Sequence, residues 1–131
     1  MQTGIQQQGK RMSYSIAWEP SGTLIVYGGV VNFQDVMGAV FAIHQNPKYP
    51  DFKYAIHDMS RVERFDFSSV DMSQIVAHEI GARYTNPNIG VVLVTTDAEM
   101  AKHVKVYSTL TKLVVRMVPT MDEARAFFTA P

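Results

Sequence analysis

Two hydrophobic periods alternate along the chain. Residues 14–20 (YSIAWEP) and 23–31 (TLIVYGGVV) are dense in β-branched and aromatic side chains, the composition of strands. Between them, EPSG carries proline second and glycine fourth, the positions a type I turn prefers. Strands joined this tightly form an antiparallel hairpin. Gly28 and Gly29 interrupt the second strand and predict a bulge or a close backbone approach. Asn32 is placed to cap a helix, with Asp35 in its first turn facing the positive dipole end. Phe33, Val36, Met37, Val40, Phe41 and His44 then share one helical face, and NPKYP ends the helix, because proline disfavours helical backbone in the residue before it.

The period returns to two in FKYAIHDM, predicting a third strand over 52–59 with Tyr54 and Ile56 on one face and Ala55 and His57 on the other. SRVERFDF reads as a connection. Met72, Ile75, Val76 and Ile80 mark a second helix that NPN closes near Asn86. IGVVLVTT (89–96) is a continuous apolar run, the mark of a strand covered on both faces. Asp97 caps a third helix with Met100, Val104 and Tyr107 inward. KLVVRMV is the last strand, and Thr120 and Glu123 have capping-box spacing ahead of a final helix. The order is β-β-α-β-α-β-α-β-α. Right-handed crossovers then predict an α/β fold: a single-layer mixed, mostly parallel five-stranded sheet with four helices. One domain over 13–131 is expected, behind a polar, glutamine-rich lead-in over 1–12 read as disordered.

Composition narrows the chemistry. At 131 residues the chain can bury a real core, and 47% hydrophobic residues exclude wholesale disorder. Twelve basic and twelve acidic residues cancel, so no general attraction to nucleic acid or an anionic membrane exists. The absence of cysteine removes disulfides, thiolate catalysis and cysteine-ligated zinc, and fits a cytoplasmic protein. No apolar run reaches the ~18–20 residues that span a bilayer, so membrane insertion is not expected.

The hairpin, the glycine-ended strand VYGG, the strand YAIHDM and the stretch DMSRVERFDFSS together resemble the STAS-like, SpoIIAA-like superfamily, the fold of anti-sigma-factor antagonists. The resemblance spans roughly Ser13 to Ala130. The C-terminal half (NPNIGVVLVTTDAEMAKHVKVYS and MDEARAFF) looks most like the small bacterial SpoIIAA-like branch, related to STAS and lipid-carrier folds. In the antagonists a partner kinase modifies the second serine of an Asp-Ser-Ser-Gly motif at a helix start. Laid on this chain without gaps, Asp66 takes the acid and Ser68 the modified serine, while Phe67 replaces the first serine and Ser69 the glycine. The resemblance implies a non-catalytic regulatory module with a protein partner, and Ser68 and Ser69 as candidate phospho-acceptors.

Each candidate has a plainer reading beside it. A phosphate at a helix start meets free backbone N–H groups, yet serine is also a leading helix cap, and Asp71 three residues after Ser68 fits capping alone. Asp58 and Asp66, with the strand residue His57, would serve an enzyme only inside a pocket that shifts their pKa values. Loop carboxylates that cap backbone donors account for them as well. His78 opens a zinc-protease-like HEIGA, but Ala82 stands where the second histidine is needed, and no metal or other cofactor is expected. The spacing in YGGVV is that of neither a Rossmann fingerprint nor a P-loop. Arg61, Glu63 and Arg64 read as solvated charges. Val62, Phe65 and Phe67 are unusual in a connection and suggest a core plug, a docking surface or a lid. Asp58, Arg61, Phe65, Asp66 and Phe67 are therefore the candidates for an interaction surface or a pocket rim, with a protein partner or a homodimer expected. The alternative is a carrier or sensor of a small apolar ligand such as a lipid, roofed by Phe65 and Phe67, for which eight methionines supply adaptable volume.

Overall fold

A computed structural model describes residues 13–67 and 72–129, the side chains of 72–75 and 129 excepted. The lead-in 1–12, Ser68, Ser69 and Asp71, and the side chains of Met72 and Ile75 lie outside the described residues. The strands are β1 (Tyr14–Glu19), β2 (Gly22–Asn32), β3 (Tyr54–Asp66), β4 (Gly90–Val94) and β5 (Val115–Val118). The helices are α1 (Phe33–Gln45), α2 (Met72–Thr85), α3 (Ala98–Thr111) and α4 (Met121–Thr129), with a 3-10 turn at Tyr49–Asp51.

The sheet order follows the chain, β1-β2-β3-β4-β5, with β1 antiparallel to β2 and every other pair parallel. Because each right-handed crossover steps in the same direction, α1, α2 and α3 fall on one face. There Ala39 and Ile43 of α1 and Met100 of α3 pack with Ile25, Tyr27 and Leu93. α4 returns across the other face, where Ala124 and Phe128 meet Ile56, Val92 and Val94. β4 is thus covered on both sides, as its unbroken apolar run requires.

Local signals set the element ends. Asn32 and Asp35 form a reciprocal capping box, with bonds of 2.9 and 2.8 Å. The Asp97 carboxylate accepts from the Met100 amide at 2.8 Å, and the Thr120 hydroxyl accepts from the Glu123 amide at 3.2 Å. Lys112 ends α3 in the left-handed region at φ 65°. Asn86, buried, donates from its side-chain amide to the Tyr49 and Phe52 carbonyls at 2.8 and 2.7 Å and ties the 3-10 turn to the end of α2.

Two expectations need correction. Alternation predicts that the third strand stops at Met59, with a connection after it, but β3 runs on to Asp66. Its register against β2 slips twice: Val26 pairs with Asp58 but Gly28 with Arg61, and Gly29 pairs with Val62 but Val30 with Arg64. Each slip inserts one extra β3 residue and resets the side-chain alternation, so Val62 and Phe65, three apart, both turn inward. That spacing matches no strand period in the sequence. The glycines foreshadow the irregularity: both slips lie beside Gly28 and Gly29, and Gly29 sits at φ 69°. The second correction is Ile80, expected on the inner face of α2 but 41% exposed. Val76, Glu79 and Ala82 turn inward instead.

Candidate functional site

The sheet face under α1–α3 forms a half-open pocket of about 100 Å³. β3 and β4 form its floor through His57, Met59, Val91 and Leu93, and α1 and α3 its walls through Val36, Val40, Met100 and Val104. Phe33 at the start of α1 and Phe67 just past β3 close the end nearest the strand C-termini, their rings edge to face at 6.1 Å. Phe67 also meets the His103 ring edge-on at 5.1 Å.

A polar cluster lines the inner side of this apolar space. The Tyr27 hydroxyl and His57 Nδ1 are 2.9 Å apart, and both side chains are buried. Burial holds the His57 imidazole down at about 4, with His44 adding to the effect, and pushes the Tyr27 phenol above its ordinary value. Glu79 of α2 faces the cavity with only 15% of its side chain exposed. Burial raises its carboxyl to about 7, against the lowering effect of the Tyr107 hydroxyl that hydrogen-bonds to it. Tyr107 is raised in turn, by burial first and by the charge of Glu79 second. His44 Nε2 lies 3.6 Å from Glu79, within ion-pair range. Yet desolvation drives His44 down to about 4 and Glu79 up, so both partners tend to their neutral forms and the contact is not an ion pair at neutral pH. His44 also stacks on His78 at 4.7 Å, and His44 Nδ1 and His78 Nε2 are buried without a hydrogen-bond partner.

The residues singled out in sequence fall in different places. Asp58 lies mid-strand, 7% exposed, between Val26 and Val94, and its carboxylate accepts from the Ser60 amide at 3.0 Å and the Ser60 hydroxyl at 2.6 Å. Strand alternation sends it to the α4 face, away from His57. Asp66 ends β3, exposed and paired in register with Asn32. At ~3.3 Å per residue it stands on the order of 25 Å from Asp58. The three groups of the enzymatic reading therefore do not converge. Arg61, Glu63 and Arg64 are exposed on the outer half of β3. Phe65 packs on Phe67 at 5.6 Å but lines a separate groove of about 500 Å³, outside β3 and beside Thr95, Asp97 and Pro119. Phe67 alone of the two lines the half-open pocket. Its size also argues against a whole lipid: an engineered 150 Å³ cavity holds benzene, so this one takes about four or five non-hydrogen atoms.

Glu79 is the site residue that sequence reasoning missed. It lies three residues after Val76 and four after Ile75, inside the apolar stripe of α2, and an acid on such a stripe is the signal that marked it. Among the described residues, no helix is long and apolar enough to cross a membrane, and no group of three or more His, Cys, Asp or Glu side chains is placed to hold a metal ion.

Sheet order, the antiparallel leading hairpin and the helix placement define an α/β protein with the STAS/SpoIIAA-like fold. Solved structures share it. The anti-sigma factor antagonist SpoIIAA in its unphosphorylated form superposes with a TM-score of 0.62 at 14% identity, covering 90% of this chain and 99% of that one. A DUF3478-family protein with a SpoIIAA-like fold from Shewanella loihica PV-4 gives 0.51 at 10% identity, over 87% and 90% of the two chains. No protein-family model matches the chain, and no curated protein matches it in sequence.

Proposed function

We propose that the chain is a non-catalytic regulatory module that docks a protein partner on the rim formed by the outer half of β3 and the start of α2. The observation that carries this is the length of β3. Its pairing with β4 ends at Asp58↔Val94, while its pairing with β2 continues to Asp66. Residues 59–66 thus stand past the end of β4 and display Arg61, Glu63 and Arg64 to solvent over a base of Val62 and Phe65. The groove beside them lies at the C-terminal ends of the parallel strands, where α/β folds present binding surfaces. The likeness to an anti-sigma factor antagonist supports a protein as the partner. Phosphate on Ser68 or Ser69, which follow Phe67 in the chain, would add about −1.5 to −2 charges and weaken docking of an acidic partner surface.

The test is comparative affinity capture from the source cell, quantified by mass spectrometry, with wild type, Arg61→Glu/Arg64→Glu and a control reversal on α3, Lys102→Glu/Lys105→Glu. A partner held by wild type and control but lost at least tenfold by the rim variant is expected. Equal capture by all three removes the rim as the docking site. With that partner in hand, Ser68→Asp should weaken the complex and Ser68→Ala preserve it, and equal binding by both removes the switch.

The half-open pocket favours a second reading, a carrier or sensor of a small apolar ligand roofed by Phe67. Native mass spectrometry of freshly purified protein should then show a bound species of low mass, and a persistently ligand-free chain speaks against it.

A further inference from the structure

The half-open pocket is mostly apolar, and Glu79 is the one acid among its polar lining residues, beside His57, His103 and Tyr107. Burying a carboxyl without a cation is costly, and proteins keep such a group where a partner or a function compensates it. Among the described residues, Glu79 forms no ion pair with a lysine or arginine. His44 and His57 are held neutral by burial. Arg83, one turn along α2, lines an adjoining cleft with Glu79 and Tyr107 and its charge acts on Tyr107, but it is exposed and forms no ion pair with Glu79. The remaining titratable neighbours are Tyr49 on the 3-10 turn, His78 on α2, and His103 and Tyr107 on α3. Tyr107 spends its hydroxyl on Glu79 rather than neutralising it.

The rings around the same space supply the complementary feature. Phe33, Phe67 and Tyr107 line the cavity together with the imidazoles of His57 and His103. The face of an aromatic ring is electron-rich and attracts an organic cation, most strongly where water is excluded. A carboxylate and several rings around a volume of about 100 Å³ make a poor site for an anion and a good one for a compact cation with an apolar surface.

We propose that this pocket binds a small organic ammonium, of about four or five non-hydrogen atoms, with Glu79 as its counter-ion and Phe33, Phe67 and Tyr107 as its aromatic walls. The inference rests on the small-ligand reading of the cavity and adds the charge and size of the ligand. A neutral ligand of the same shape would fill the space but leave Glu79 uncompensated.

The experiment uses the full chain at pH 8 and tetramethylammonium chloride as the probe. Sodium chloride at matched ionic strength and the neutral, similarly sized tert-butanol serve as comparisons, with binding read by calorimetry and by the thermal midpoint. Tetramethylammonium is expected to bind at least tenfold more tightly than tert-butanol. Glu79→Gln should remove that advantage while leaving tert-butanol binding unchanged, and Phe67→Leu should weaken the cation about fivefold. If the cation binds no better than tert-butanol, or if neither binds, the proposal fails. Binding of tert-butanol alone overturns it while leaving the small-ligand reading standing. Undiminished cation binding by Glu79→Gln points to the protein surface and overturns it too. Should Glu79→Gln not fold, the comparison of the two probes on the native chain decides.

Discussion

Glu79 and the histidines around it give the protein opposed responses to pH. The Glu79 carboxyl sits at about 7 in the folded chain against 4.5 for an ordinary glutamate. Below pH 4.5 folded and unfolded chains both hold the proton and nothing is lost. As pH rises from 4.5 to 7 the unfolded chain ionises while the folded one stays protonated, so stability falls, and above about 7 the loss is constant. His44 and His57 act in the other direction: both are lowered to about 4, so their contribution is lost as pH falls from 6.5 toward 4. Glu79→Gln removes only the first effect. Urea unfolding at pH 4.5 and pH 8 should show the variant gaining on wild type at the higher pH by up to about 3 kcal/mol. A gain independent of pH would mean that Glu79 is already ionised at ordinary cost. This residue was open to detection in sequence as an acid on the apolar stripe of α2, but its neighbours were not, because Tyr107 and His44 come from helices 28 and 35 residues away along the chain.

At the scale of elements, the hairpin and the first crossover meet at Gly22, which ends the β1–β2 turn opposite Glu19 and also pairs with Tyr54. A Cβ on Gly22 would come within 2.6 Å of both the Tyr54 ring and its carbonyl oxygen. The ring can move but the carbonyl belongs to the β2–β3 ladder. Gly22→Ala should therefore cost about 1–3 kcal/mol, read as a lower urea midpoint with unchanged slope. Caps, turns and the covered strand β4 were legible because their causes are local: Asn32, Asp97 and Thr120 act within three residues of themselves. The outer half of β3 was not, because its bulges are defined by the register against β2 and leave Val62 and Phe65 at a spacing that belongs to no single period.

At the scale of the molecule, α4 is fastened to the far strand. Arg125 donates two bonds to the Glu19 carboxylate, both 2.7 Å, and the Tyr54 hydroxyl donates a third. Those bonds, Arg125 first, hold the Glu19 carboxyl below the usual carboxylate range, so their contribution is present at neutral pH and is lost in acid. Arg125 is 40% exposed, and such a pair contributes about 1 kcal/mol or less. Arg125→Met should leave the global midpoint nearly unchanged while speeding amide exchange in α4, an effect that high salt reproduces in wild type. Loss of the whole fold in that variant would show that α4 is a structural pillar, with Ala124 and Phe128 unable to hold it alone.

Element types and order, the helix caps and the crossover handedness were written in the amino-acid order, because each depends on neighbours a few residues apart or on the fixed chirality of the backbone. Only packing decided that His57 and Asp58, adjacent in the chain, serve opposite faces of the sheet. Packing also decided that Phe33, Phe67, Glu79 and Tyr107, spread over 75 residues, line one pocket. Burial depends on what the rest of the chain lays over a side chain, and no window of sequence contains that.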